Sequence, residues 1–147
     1  MNASLSIFFF FILIPLILCE SPIEQHVYVG DDFKYSLDFE GGNKAIGVER
    51  VFFDEEVNGE FKWYYYFCGK ATEKNEKKCG TWIDKEGKKV KGPTRKVTLT
   101  EKEIIVSKVT MKDEGYYTAI FEDNNQETSN VRLVVRTRPS QPPPKHC

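Results

Sequence analysis

The sequence predicts an all-β domain, with short strands folded into two packed sheets or closed into a barrel. Runs rich in Val, Ile, Phe, Tyr and Thr recur between clusters of Gly, Asn, Asp and Lys from Gly30 to Val135, which is how strands separated by turns read. Between the apolar N-terminal stretch and the Pro-rich tail, no segment shows an apolar spacing of helical period. A chain of 147 residues with 40% hydrophobic and 14% aromatic content has material for one compact core and hardly for two.

The first stretch, MNASLSIFFFFILIPLILC, carries no charged side chain and an apolar run from Ile7 to Leu18. That length fits the core of an export signal and is short for a membrane span. Cleavage after Cys19 is the expectation, because Cys19 offers the small side chain that signal peptidase needs ahead of Glu20. Ile17 is large for its position and the segment lacks a Lys or Arg, so an uncleaved anchor is the alternative. The expected organisation is a signal over residues 1–19, one domain over 20–136 and a Pro-rich tail over 137–147.

After the Gly30-Asp31-Asp32 turn, Phe33, Tyr35, Leu37 and Phe39 alternate with Lys34, Ser36 and Asp38, which marks a half-buried strand. Val51 to Phe53 and Phe61 to Phe67 read as two more, joined through DEEVNGE, where Asn58-Gly59 favours a tight hairpin turn. Val97 to Thr100, Ile104 to Val109, Tyr116 to Phe121 and Val131 to Val135 complete the set, with Asn124-Asn125 as the corner between the last two.

The string IIVSKVTMKDEGYYTA resembles the immunoglobulin superfamily pattern I-x-V-x-x-V-x-x-x-D-x-G-x-Y-x-C through Ile104, Val106, Val109, Asp113, Gly115 and Tyr117, and departs from it at Ala119. Upstream, GDDFKYSL resembles the family's second strand through Gly30, Phe33 and Tyr35, and departs at Leu37. Both departures fall on the two partners of one inter-sheet disulfide, so the resemblance implies an immunoglobulin-like β-sandwich of two antiparallel sheets in which a Leu and an Ala stand where the bridge would be. It also implies that Tyr117 is the corner tyrosine, that Gly115 gives the chain room to turn, and that Asp113 pairs with a basic residue at the start of the family's fourth strand, Arg95 ahead of Lys96. The third strand is less clear. Trp63 and Trp82 both fit its tryptophan by local pattern, but VFF followed by FKWYYYF suits the larger, variable-type strand set better.

Four cysteines are present, and removal of the signal leaves Cys68, Cys79 and Cys147. Cys68 and Cys79 enclose GKATEKNEKK, a polar stretch able to turn back on itself, so a local disulfide between them is expected in an oxidising compartment. Cys147 follows RTRPSQPPPKH, an extended, semi-rigid composition resembling an antibody hinge. It is read either as an intermolecular disulfide candidate that would make a covalent homodimer, or as an incidental thiol.

The functional signal lies in the strands. Alternation places Phe61, Trp63, Tyr65 and Phe67 on one face and Tyr64 and Tyr66 on the other, so one aromatic face must point outward. With Tyr117, Ala119, Val131, Leu133 and Val135 inward, Tyr116, Thr118, Ile120, Arg132, Val134 and Arg136 point out. Tyr64, Tyr66, Tyr116, Ile120, Arg132 and Val134 are therefore the candidate binding residues, a composition typical of protein interfaces. The alternative is scattered surface aromatics shielded by a loop.

Other functions lack material. The net charge of -1, from 21 basic and 22 acidic residues, gives no field that would drive nucleic-acid binding. The lysine-rich segment from Lys70 to Lys91 could attract a sulfated glycan, but more often such lysines keep a strand edge soluble. The two histidines, His26 and His146, make no catalytic grouping with Ser, Cys or Asp and no zinc-ligand spacing, and no phosphate-cradling glycine loop occurs. Neither enzyme activity, cofactor nor metal is expected. The reading is a secreted, extracellular module that recognises another protein, with a small secreted β-barrel carrying a hydrophobic ligand as the alternative.

Overall fold

A computed structural model of the chain describes residues 22–38, 44–91, 94–123 and 130–139. The export-signal reading, Cys19, Phe39, the Asn124-Asn125 corner and the tail from residue 140 through Cys147 lie outside them.

Nine strands are formed among the described residues: β1 Ile23–Tyr28, β2 Phe33–Ser36, β3 Gly47–Asp54, β4 Gly59–Tyr66, β5 Trp82–Asp84, β6 Val97–Leu99, β7 Glu103–Val106, β8 Gly115–Ile120 and β9 Val131–Arg136. They make two open sheets, one of six strands in the order β1-β9-β8-β3-β4-β5 and one of three in the order β2-β7-β6. Among the described residues neither sheet closes on itself, which is the arrangement of a sandwich and not of a barrel. The fold is an immunoglobulin-like β-sandwich, and its six-stranded sheet has the extra strands beside the third that distinguish the variable type.

Why this sequence splits into two layers is visible in the burial. Phe33, Tyr35 and Leu37 are buried on one layer, and Val48, Tyr117, Ala119, Leu133 and Val135 face them from the other, in one core cluster. Period-two alternation in β2, β8 and β9 turns one side of each strand inward and leaves the other for solvent. Leu37 and Ala119 each keep 3% of their exposure. The chain passes from β1 in one sheet to β2 in the other at Gly30, whose φ of +86° is open to glycine and costly to other residues.

Several expectations need correction. The sheets are antiparallel except at one edge, where β1 runs parallel to β9 with Ile23 opposite Val131 and Tyr28 opposite Arg136. Neither β1 nor β5 was anticipated as a strand. The hairpin between β3 and β4 does not turn on Asn58-Gly59 alone: Asp54 pairs with Gly59, leaving residues 55–58 as the loop, with Asn58 left-handed at φ 49°. The longer loop is held by the Glu56 N–H donating to Asp54 Oδ1 at 2.9 Å. The third strand contains VFF but begins at Gly47, and Val51 points outward because the inward positions are Val48, Arg50 and Phe52. The interior tryptophan comes from β5: Trp82 is 3% exposed and its Nε1 donates to the Arg95 carbonyl at 3.1 Å.

Cys68 and Cys79 form a disulfide with Cα atoms 5.0 Å apart. The segment between them is not a plain hairpin turn. It holds one short helix, α1, Glu73–Glu76, and returns the chain to the sheet through the Gly80 N–H bonding the Tyr66 carbonyl at 2.9 Å.

Candidate functional site

The six-stranded sheet has one face on the core and one away from it, and strand register fixes which side chains share the outer face. Opposed residues in a pair point the same way. Tyr116 lies opposite Val51 on one side and Arg132 on the other. Val51 is opposite Lys62, and Arg132 is opposite Glu24. A second row runs Thr118, Glu49, Tyr64 and Ile83, and a third runs Ile120, Gly47 and Tyr66. Val134, opposite His26, extends the surface along β9. All six candidate binding residues, Tyr64, Tyr66, Tyr116, Ile120, Arg132 and Val134, are thereby brought to one face of one sheet.

Their local chemistry is that of a flat, half-dry surface. Tyr116 is 39% exposed, Arg132 is exposed, and Tyr64, Tyr66, Ile120 and Val134 are half-buried. The Arg132 guanidinium lies 5.9 Å from the Tyr116 ring centre and 3.5 Å from Glu24 Oε2, while His26 Nε2 is 3.1 Å from Glu24 Oε1. Burial first, and then the nearby Glu49 carboxylate, push the Tyr64 phenol above its usual range, and the same two causes act on Tyr66. Both phenols therefore hold their protons further into alkali than a free tyrosine. Thr118 Oγ1 donates to Asn130 Oδ1 at the edge of the second row.

Gly47 is what lets Tyr66 lie down on this face. A Cβ built there would stand 2.5 Å from the Tyr65 carbonyl oxygen and 3.2 Å from Tyr66 Cδ1. The face is about 24 Å wide, from five spacings of roughly 4.8 Å, and about 20 Å long. Roughly 500 Å² is less than the roughly 800 Å² per partner of a standard interface, so adjoining loops must contribute to any complete contact.

The residues nominated for structural roles gather at the opposite side of the sheet. The Tyr117 hydroxyl, buried at 1% exposure, donates to the Asp113 carbonyl at 2.7 Å, and burial pushes its phenol far up. Asp113 Oδ2 accepts from the Thr110 N–H at 2.7 Å, from Thr110 Oγ1 at 2.9 Å and from Arg95 Nε at 3.0 Å. Gly115 adopts a φ of 149°, and a Cβ there would meet the Val51 carbonyl oxygen at 2.6 Å. These groups hold β8 in place and point nothing toward solvent on the outer face.

Sequence reasoning missed Arg50. Inward from β3 and 4% exposed, it packs its guanidinium 4.2 Å from the Phe52 ring centre and 5.2 Å from that of Trp63. A charged side chain is expected outside, and only its position two residues after Val48 on a half-buried strand hinted otherwise. Glu49 and Val51, which complete the outer rows, were missed as well, because the sequence reading starts that strand at Val51 and assigns it no facing. Among the described residues no group of three or more His, Cys, Asp and Glu could hold a metal ion, and no helix is long and apolar enough to cross a membrane.

No family model matches the chain, and no curated protein sequence matches it. Solved structures with a similar chain path include the extracellular fragment, with stalk region, of novel immune-type receptor 11 from Ictalurus punctatus, at 14% identity over 84% of this chain and 91% of that one, with a TM-score of 0.45. The first immunoglobulin domain of mouse polymeric immunoglobulin receptor matches at 14% identity over 82% and 95% with a TM-score of 0.40. The first immunoglobulin-like domain of human CD48 antigen matches at 14% identity over 85% and 90% with a TM-score of 0.38. At such scores these likenesses carry no weight of their own, and strand order and register establish what this chain is: an immunoglobulin-like β-sandwich of variable-type topology.

Proposed function

We propose that the chain is a secreted, non-catalytic module that recognises an extracellular protein through the outer face of its six-stranded sheet. The observation that carries this is the convergence of Tyr64, Tyr66, Tyr116, Ile120, Arg132 and Val134, from the three strands β4, β8 and β9, on one continuous face. Tyrosine and arginine with half-buried aliphatic neighbours match the composition of interface hot spots. The Cys68–Cys79 disulfide agrees with an oxidising, extracellular setting, and residues 1–19 would supply the export signal. In this reading Leu37 and Ala119 replace the inter-sheet cysteine pair, and the sandwich is held there by packing alone.

Panning the secreted chain against a display library of extracellular domains tests the assignment. Binding should be lost in a Tyr64→Ser, Tyr116→Arg double variant and kept in Lys34→Ala, on the other sheet. A partner bound equally by all three proteins would place recognition elsewhere.

Covalent dimerisation belongs to the same proposal. Of the four cysteines, Cys68 and Cys79 are consumed by each other and Cys19 would leave with the export signal, so Cys147 would be the thiol that links two modules and raises avidity toward a repetitive target.

A further inference from the structure

Arg50 is a buried cation without a counter-charge. Its Nη2 donates to the Lys112 carbonyl and, at 2.8 Å, to the Glu114 carbonyl, but its Nε is buried with no hydrogen-bond partner. Among the described residues no carboxylate forms an ion pair with it. Buried charges are ordinarily paired, and an unsatisfied buried donor calls for an explanation such as a bound ion or water.

Beside Arg50, between the sheets, lies a cavity of about 200 Å³. Trp63, Trp82 and Tyr117 supply its aromatic walls, and Lys91, Arg95 and Lys112 also reach it. Its one acidic lining residue, Asp113, is already occupied by Arg95 and Thr110. The site is therefore cationic with flat apolar sides, and larger than the roughly 150 Å³ apolar cavity that accepts benzene.

We propose that this cavity binds a small organic carboxylate with a flat, apolar body, its anionic group supplying the charge that Arg50 lacks and its ring lying between the tryptophans. The site is separate from the outer face and does not depend on the function assigned to it.

Trp63 and Trp82 are the only two tryptophans of the chain and both line the cavity, so intrinsic fluorescence reports occupancy directly. The full secreted chain is titrated at constant ionic strength with benzoate, with benzamide as its neutral match in shape, and with acetate as the anion without a ring. Saturable quenching by benzoate is expected at least tenfold tighter than by either control, and Arg50→Gln should remove the preference for benzoate over benzamide. Absence of saturable quenching by benzoate overturns the site. Equal affinity for benzamide overturns the role of the charge, and equal affinity for acetate overturns that of the ring. The comparison of the three compounds on the unmodified chain stands even if Arg50→Gln fails to fold.

Discussion

Arg95 Nε donates to Asp113 Oδ2 at 3.0 Å, and because Arg95 leads into β6 while Asp113 precedes β8, this ion pair ties the three-stranded sheet to the six-stranded one. It is largely shielded, with 26% of the Arg95 side chain and 11% of the Asp113 side chain exposed. Removing the arginine leaves a carboxylate that still accepts two bonds from Thr110. Arg95→Ala should therefore cost about 2 kcal/mol, below the full penalty of an unpaired buried charge. Urea unfolding measures it; a change smaller than the experimental error would show the pair to be incidental.

On the proposal that Leu37 and Ala119 stand where an inter-sheet cysteine pair would be, a Leu37→Cys, Ala119→Cys double variant should form a bond between the sheets. Each residue is buried in the same core cluster, Leu37 just after β2 and Ala119 on β8. A bridge over so long a loop typically adds roughly 2–4 kcal/mol when its geometry is accepted. Thiol titration of the unfolded, unreduced variant reads bond formation, and two free thiols in oxidising medium would show that the positions do not oppose each other.

Gly47→Ala should destabilise the domain by about 1–3 kcal/mol, since the new methyl meets the Tyr65 carbonyl, which cannot yield without moving the strand. The same methyl should lift the Tyr66 ring. Thermal unfolding checks the first effect. The second appears as weakened partner binding beyond that of an equally destabilised core variant such as Val48→Ala.

Stability should fall steeply in alkali. Tyr64, Tyr65, Tyr66 and Tyr117 are all raised above the ordinary phenol value of 10.0, with burial the largest cause in each. Below that value both folded and unfolded chains keep these protons, and the four groups contribute no pH dependence. Above it the unfolded chain releases protons that the folded chain retains, so the unfolded state binds fewer and stability declines as pH rises. Tyr117→Phe should flatten this decline most, while costing about 1 kcal/mol near neutrality for its lost bond to the Asp113 carbonyl. Denaturant midpoints compared at neutral pH and at about pH 11 test the sign.

Secreted chain run on non-reducing gels should contain a dimer that disappears in Cys147→Ser. Monomer alone in both would leave Cys147 without a role in assembly.

By itself, the sequence determined what depends on near neighbours in the chain. The alternation of Phe33, Tyr35 and Leu37, the Lys112–Tyr117 corner, the Val51–Phe53 and Phe61–Phe67 strand pair and the Cys68–Cys79 bond all involve residues close enough for period-two geometry or a short loop to dictate the outcome. Tertiary structure alone decided the rest. Nothing in IEQHVY names β9 as its parallel partner, and three residues of β5 are too few to carry a pattern. Alternation shows that Tyr64 and Tyr66 share a side of β4, but only pairing of β4 with β3, and of β3 with β8, puts them on the side occupied by Tyr116 and Ile120. Arg50 is the sharpest case: solvation favours an exposed arginine, yet its strand is held between β4 and β8 in a register that turns position 50 inward, and the side chain must follow.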